Sequence, residues 1–350
     1  MKKLIPLLLV LIGLLRCSAD SPSPTSSTVD TSPAYKKNPM IAVAATSRAI
    51  SGSDSLSYGS RPDERPVRTT ALDSFSISAF EVMNHEFAQY IKLWSESFPS
   101  WDTVRKTDVT VITDKSLQLH TDTLYLHRGS LSKALIKINS SALLFTLDTT
   151  IDTVGADTIR ISPNFTPTTI YKDYPVQGVS WFGAALYCCS KTISEGLTLT
   201  QCFDTAGLKF TPNLTGMGYR LPTEAEWEWV ARDTLTGVNA LYPTGSSISP
   251  DRANYGSSAV RVTGSFAPNS RKIYDLGGNL WEWCLDSYGA VFYTTAGSNP
   301  FNASANVAND TMVVRGGGYN DVVSTLRTAR RSKAVPLYMG DDAGFRVVRR

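Results

Sequence analysis

The residues with the greatest chemical reach lie in two stretches of the C-terminal half. "VVRGGGYNDVVSTLRTARR" (313–331) places Arg315 before three consecutive glycines, Gly316 to Gly318, and Arg327, Arg330 and Arg331 after them. Glycines let backbone N–H groups converge on an anion, and guanidiniums grip phosphate or carboxylate through paired N–H donors. A phosphate-cradling loop needs strand, glycine loop and helix in that order, with GK[ST] or GxGxxG. "GGGYND" has neither pattern and "VVSTLRTARR" is β-branched, so nucleotide binding is rejected. The arginines, Arg327 and Arg331 among them, are expected to pair with carboxylates inside an irregular fold.

"YDLGGNLWEWCLD" sets Asp275, Asn279, Glu282 and Asp286 between glycines and tryptophans. Hard cations take six to eight oxygens, many of them loop carbonyls, although this spacing is not that of an EF-hand. On the residues alone a turn held by Asx hydrogen bonds is favoured, with Trp281 and Trp283 in the core. In "PTEAEWEW", Glu224 and Glu226 read as cap and dipole partners of a helix rather than as a catalytic acid–base pair. No Gly-x-Ser-x-Gly elbow occurs, so a hydrolase triad is not indicated. Of five cysteines, Cys17 stands apart; Cys188, Cys189, Cys202 and Cys284 allow three full pairings, and sequence does not choose among them. There is no CxxC and only three histidines (His85, His120, His127), which argues against a Cys/His zinc site.

The elements that must hold these residues have local signatures. "MIAVAATSRAISG" reads as a strand and turn, and "FSISAFEV" alternates with Phe75, Ile77 and Ala79 on one face. A helix is expected over "NHEFAQYIKLW", capped by Asn84. Residues 101–170 change texture to short alternating Thr, Ile, Val and Leu segments, a β-rich insertion of hairpins. Ser180 caps a helix carrying Trp181, Ala184, Ala185 and Cys188 on one face, and Gly196 stops it. Thr223 and Glu226 form a capping box, with Trp227, Val230 and Ala231 as the buried stripe. Few helices, many short strands and long loops give an α+β class.

Apolar content of 42%, charged content of 19% and a net charge of +3 describe a globular chain without the basic concentration of a nucleic-acid binder. "MKKLIPLLLVLIGLLRC" places Lys2 and Lys3 before a run from Leu4 to Leu15, the length of a signal-peptide core and short for a bilayer span. Residues 1–17 are expected to be a signal peptide of lipoprotein type, with Cys17 as the lipidated residue. Leu14 suits that pattern, while Arg16 stands where a small residue is usual. Cleavage near Ala19, giving a soluble exported protein, is the plainer alternative. The Ser-, Thr- and Pro-rich segment 18–37 is a disordered tether.

Seven segments, in order, resemble the formylglycine-generating enzyme, or sulfatase-modifying factor, family. They are "RPDERPVRTTALDSFSISAFEVMNHEFAQYI", "YPVQGVSWFGAALYC", "GYRLPTEAEWEWVAR", "RANYG", "DLGGNLWEWCLD", "VVRGGGYN" and "AGFRVVRR". The resemblance spans roughly 38–100 and 171–350. It implies an irregular α+β fold related to C-type lectins over 38–350, interrupted by the insertion at 101–170. It implies a structural calcium ion held by Asp275, the carbonyls of Gly278 and Leu280, and Glu282, with Asp275 standing where Asn is common. A second family calcium site would begin at Asn254 and the Tyr255 carbonyl, but "SSAVRVTG" shortens the loop that supplies its other ligands. The family's enzymes oxidise a sulfatase cysteine with two cysteines and copper, the first two residues after the Tyr of the glycine segment. Here Tyr319 is followed by Asn320, Asp321, Val322, Val323, Ser324 and Thr325, without cysteine. Copper is therefore not expected, since Asp and Ser do not replace thiolate for copper(I). The histidine-ligated iron enzymes of the superfamily carry an added helical domain that this chain lacks. The expectation is an exported, lipid-anchored envelope protein that binds an envelope protein or polysaccharide without catalysis. The membrane would be reached through Cys17, Tyr288, Phe292 and Tyr293 would offer contact area, and nucleic acid is no partner. The alternative is a formylglycine-generating oxidase with relocated thiols, or a related metal-dependent oxidase.

Overall fold

A computed structural model describes residues 36–54, 59–87, 173–197, 211–232, 240–292, 297–304, 310–336 and 338–350, together with strands between 101 and 146 and at 203–204. The signal peptide and Cys17, nearly all of the tether, Cys202 and Tyr293 lie outside the described residues.

The first four strands are β1 (Met40–Val43), β2 (Thr46–Ser51), β3 (Arg68–Leu72) and β4 (Phe75–Ser78). Phe75 and Ile77 are buried and Ser76 between them is half-buried, the alternation a one-sided strand requires. Ser78 is buried too, because its hydroxyl donates to the Phe80 carbonyl (2.8 Å) and accepts from the Val347 N–H (3.2 Å). The next helix begins at Asn84 itself, so Asn84 is its first residue rather than its cap. The capping acceptor is the Glu86 carboxylate, which takes the Met83 N–H at 2.9 Å.

Within 101–170, β5 (Trp101–Lys106), β6 (Val109–Asp114) and β7 (Leu124–Arg128) form an antiparallel sheet, and β8 (Leu135–Asn139) pairs antiparallel with β9 (Ala142–Thr146). Helix α1 (Trp181–Ser194) follows; Ser180 accepts the Gly183 N–H at 3.0 Å, and the helix ends at Gly196, whose φ is 75°. A short antiparallel pair, β10 (Phe203–Asp204) and β11 (Thr211–Pro212), leads to helix α2 (Glu224–Ala231).

The capping box of α2 is present in both directions: Thr223 Oγ1 accepts the Glu226 N–H (3.2 Å) and Glu226 accepts the Thr223 N–H (2.9 Å). The expected one-sided stripe is not what forms. Every residue of α2 is buried, the glutamates included. A charged helix face is buried only when other segments bring counter-charges to it, and arginines do so here.

Residues 240–280 carry no helix or strand beyond one isolated bridge, Tyr242 to Gly245. The sheet that follows has the order β14 (Ser332–Ala334), β13 (Met312–Arg315), β12 (Trp281–Ser287), β15 (Ala343–Gly344). The last strand, β16 (Val348–Arg349), returns to pair with β4, so the two ends of the domain close one sheet, β1-β4-β16. Phe75, Ile77, Trp227, Val230, Leu276, Cys284, Val313 and Val348 pack into a common core. Trp283 is fully buried and Trp281 half-buried.

Candidate functional site

The glycine segment is shaped by close approach. Gly316 has φ of 96°, and a Cβ there would stand 3.4 Å from both the Leu276 carbonyl oxygen and the Trp227 ring. Gly278, at φ 84°, would bring a Cβ within 2.3 Å of the Asn254 carbonyl oxygen, which no side chain tolerates. These glycines let loops press on the α2 tryptophan; they do not form a cradle for an anion.

The arginines around them are held by carboxylates of α2 and of the 59–64 loop. Arg315 reaches Glu224 (3.1 Å) and Glu228 (2.9 Å) and lies over the Trp227 ring (5.2 Å). Arg331 grips Glu224 with two N–H donors (2.7 and 2.8 Å), and Arg327 grips Glu64 (2.6 and 2.8 Å). Arg220 holds Glu226 (2.6 and 2.7 Å), and Arg232 holds Glu228 (2.9 Å). Burial pushes the Glu226 and Glu228 carboxyls up, but their arginines outweigh it and leave both below the usual carboxylate range. Both oxygens of Glu224 are committed to arginines, so it is a counter-ion rather than a free acid or base.

A second group of acids surrounds "DLGGNLWE". Asp275, in the left-handed region at φ 56°, accepts the Gly264 N–H at 2.6 Å. Glu81 accepts from the Asn279 side-chain amide (2.7 Å) and the Leu280 N–H (3.1 Å). Glu282 pairs with Arg346 through both oxygens (2.5 and 2.6 Å) and accepts the Trp227 indole N–H (2.6 Å). Burial, then Asp275 and Glu282, push Glu81 well above the carboxylate range; burial also raises Asp275. Lys36, whose ammonium donates to the Thr263 carbonyl and lies over the Phe80 ring, opposes that rise at Asp275. Asn254, the start of the second expected site, is engaged locally. Its side chain donates to the Ala259 carbonyl (3.0 Å) and Asn279 (3.1 Å) and accepts from Ser257 (2.7 Å), and its carbonyl accepts the Asn279 N–H (2.9 Å).

After Tyr319 the chain makes a tight turn. Asp321 accepts the Gly318 N–H through its carboxylate (2.8 Å) and the Gly256 N–H through its carbonyl (2.9 Å). Val322 and Val323, the next two residues, are exposed. Cys188, Cys189 and Cys284 are all buried, and burial pushes the Cys284 thiol well up. Tyr288 and Phe292 are half-buried: both pack against the core, and the Tyr288 hydroxyl donates to Asp63 at 2.7 Å.

The profile of the "sulfatase-modifying factor enzyme 1-like domain" matches residues 25–350. The chain belongs to that family. Relatives include the formylglycine-generating enzyme of Bos taurus, 26% identical over 303 residues that cover 81% of this chain and 67% of the enzyme. They also include the serine/threonine-protein kinase pkn1 of Chlamydia pneumoniae, 33% identical over 177 residues covering 50% of this chain. The chain matches 24% of that kinase's length. Among solved structures, the Treponema denticola variable protein 1 superposes with a TM-score of 0.58 at 19% identity, covering 89% of this chain and 94% of that one. That likeness establishes the fold of this sulfatase-modifying factor domain, the irregular α+β fold related to C-type lectins.

The structure brings Asp275, Gly278, Leu280 and Glu282 into one region. As arranged, these side chains do not fit a calcium ion. Both oxygens of Glu282 already accept from Arg346, one of them also from Trp227, and two cations of the protein, Arg346 and Lys36, act on Asp275. Among the described residues no three His, Cys, Asp or Glu side chains converge as a metal-binding group. Three members of the cluster, Glu81, Lys36 and Arg346, lie outside that segment. Glu81 and Arg346 show only as a charged residue inside an otherwise apolar run, "SAFEVM" and "AGFRVV", and Lys36 shows no such sign.

Proposed function

We propose that this is an exported, lipid-anchored envelope protein whose sulfatase-modifying factor domain binds an envelope protein or polysaccharide and does not oxidise cysteine. The observation that carries this reading is the turn after Tyr319. No cysteine occurs beyond Cys284 in the chain, and Asp321 uses its carboxylate to close that turn. Support also comes from Cys188, Cys189 and Cys284, which are all buried and leave no accessible thiol among the described residues. The basic and apolar N-terminal stretch ending at Cys17 supports export and lipidation, and Arg346 and Lys36 stand within the acidic cluster around Asp275. Among the described residues no helix is long and apolar enough to cross a membrane, which leaves a lipid on Cys17 as the proposed attachment.

The test has two arms. The purified chain, incubated with copper and a cysteine peptide of sulfatase type, is expected to give no formylglycine, while immobilised chain retains a specific protein or polysaccharide from envelope extract. Turnover that disappears in Cys284→Ser would overturn the binding reading in favour of an oxidase with relocated thiols. Radiolabelled fatty acid is expected to enter the wild type and not Cys17→Ser.

A further inference from the structure

The carboxylates around "DLGGNLWE" differ in the donors they receive. Glu282 is gripped by Arg346 through both oxygens (2.5 and 2.6 Å). Glu81 and Asp275 are bonded by neutral donors: the Asn279 amide (2.7 Å) and Leu280 N–H (3.1 Å) for Glu81, the Gly264 N–H (2.6 Å) for Asp275. Arg346 thus faces three acids, Glu282, Glu81 and Asp275, while its hydrogen bonds to carboxylate go to Glu282.

Lys36 brings a second cation from outside the segment. Its ammonium donates to the Thr263 carbonyl, stands 3.5 Å from the Thr263 hydroxyl and lies 4.1 Å from the centre of the Phe80 ring. Gly264 links it to Asp275. The Gly264 N–H bonds the Asp275 carboxylate, and a Cβ at Gly264, whose φ is 70°, would stand 3.0 Å from the ammonium and 2.5 Å from the Phe80 ring. A glycine is what lets ammonium and ring close on this backbone. Burial pulls the Lys36 pKa down, and Asp275, then Asp173, oppose it.

The same approach holds the chain that leads into β1. Asn38 accepts the Phe80 N–H (3.0 Å), and its amide donates to the Phe80 and Glu81 carbonyls (3.3 Å each) and to Glu86 (3.1 Å). The Pro39 carbonyl accepts the Ala79 N–H (2.9 Å), which continues the β1–β4 pairing beyond Met40 and Ser78. Lys36 therefore stands at the outer end of a seam that joins the end of the 18–37 tether to the edge of the acidic cluster.

We propose that Lys36 is the resident cation of this cluster: its ammonium, carried on the end of the tether, takes the place of the calcium ion that the family resemblance implies, and fastens the tether to the domain. Ammonium and calcium compete here because calcium too would take the carboxylates and loop carbonyls of this region. A cation fixed to the chain fills the cluster at any calcium concentration. The inference holds whether the domain binds a partner or oxidises cysteine.

The experiment is calorimetric titration of the chelator-treated full chain with calcium chloride at fixed ionic strength. Lys36→Met keeps an apolar stem over Phe80 without the charge, and Lys36→Arg keeps the charge. Lys36→Met is expected to bind calcium at least tenfold more tightly than the wild type, and Lys36→Arg to match the wild type. Calcium should raise the thermal midpoint of Lys36→Met and leave the other two unchanged. A Lys36→Met chain that binds calcium no more tightly than the wild type overturns the proposal. An equal gain in Lys36→Arg overturns it as well, because the charge would then not decide. The gain should vanish in Lys36→Met/Asp275→Ala; a gain kept there places the ion elsewhere and also overturns it. Fastening has its own readout. Without calcium, the Ala79 and Phe80 amides, bonded to Pro39 and Asn38, should exchange hydrogen faster in Lys36→Met than in the wild type, and equal rates would overturn that half.

Discussion

At the scale of single residues, Arg346 is the group with the largest consequences. It is fully buried, bonds both oxygens of Glu282, and also donates to the Ser78 carbonyl (3.2 Å) and the Tyr274 carbonyl (2.9 Å). Removing one partner of a buried pair leaves an uncompensated charge and costs about 3–5 kcal/mol. Arg346→Met should therefore lower the unfolding free energy, read from a urea titration, by an amount in that range, more than a surface change such as Arg48→Gln, which should stay within about 0.5 kcal/mol. The same residue bears on calcium. A ligand that binds only the folded chain adds about 2.7 kcal/mol when present at a hundred times its dissociation constant. With Arg346 and Lys36 already set among the three carboxylates of the cluster, millimolar calcium is expected to leave the thermal midpoint where it is, and chelation likewise. A calcium-dependent rise lost in Asp275→Ala would contradict this.

Asp286 gives a pH signature of opposite sign to the arginine-paired glutamates. Burial, then the neighbouring Glu224, push its carboxyl up to about 7, against backbone donors at Asn302 (3.0 Å) and Glu224 (2.7 Å). In the unfolded chain an Asp titrates near ~3.9. Between these values the folded chain holds the proton more tightly, so this group's contribution is complete below about pH 4 and declines as pH rises to about 7. The wild type should lose stability relative to Asp286→Asn across that interval, by at most roughly 1.4 kcal/mol per pH unit. Denaturant midpoints of both chains at half-unit steps would show it; a flat difference would mean the two backbone donors prevail over burial.

At the scale of elements, α2 separates two kinds of stabilisation that share one residue. Thr223→Ala removes a single cap hydrogen bond, at a cost of about 1 kcal/mol. Glu226→Gln removes the counter-charge of buried Arg220 but leaves an amide oxygen for its half of the capping box, and about 3–5 kcal/mol is expected. Equilibrium denaturation of the two variants should keep that order. The cap itself was readable in the sequence, because Ser/Thr and Glu three apart before an apolar run is a local pattern, and so were the Ser180 start and Gly196 stop of α1. The alternation of Phe75 and Ile77 was readable for the same reason. Full burial of α2 was not. A hydrophobic period assigns glutamates to the solvent, and although Arg220 and Arg232 are near in sequence, the arginines that enclose Glu224 come from far along the chain, as Arg331 does, 107 residues away. Asn84 failed differently: it has the chemistry of a cap, but Glu86 reaches the same end of the helix with a charged acceptor. In the acidic cluster, Asp275 and Glu282 were visible because they share a segment. Glu81, Lys36 and Arg346 join it only through tertiary pairing, which no local pattern specifies.

At the scale of the whole molecule, the cysteines report on how the domain opens. Cys284 lies inside β12, between β13 and β15 of the four-stranded sheet, and belongs to the common core with Trp227 and Val348. Its backbone carbonyl accepts the Trp181 indole N–H at 2.9 Å, which ties α1 to the same strand. Because β16 pairs with β4, exposing Cys284 requires parting elements from both ends of the domain, and no local fraying reaches it. A thiolate is the reactive form, and burial suppresses it further. When opening and closing are fast, alkylation tracks the population of the open state and hence the free energy of unfolding. Iodoacetamide labelling of Cys284, read by mass spectrometry across a urea series, should therefore rise with the same slope as the loss of tryptophan fluorescence. Arg346→Met and Glu226→Gln should speed it in proportion to the stability each has lost. Labelling within seconds in native buffer, insensitive to urea and to both substitutions, would place a reactive thiol at the surface and revive the oxidase reading for this chain.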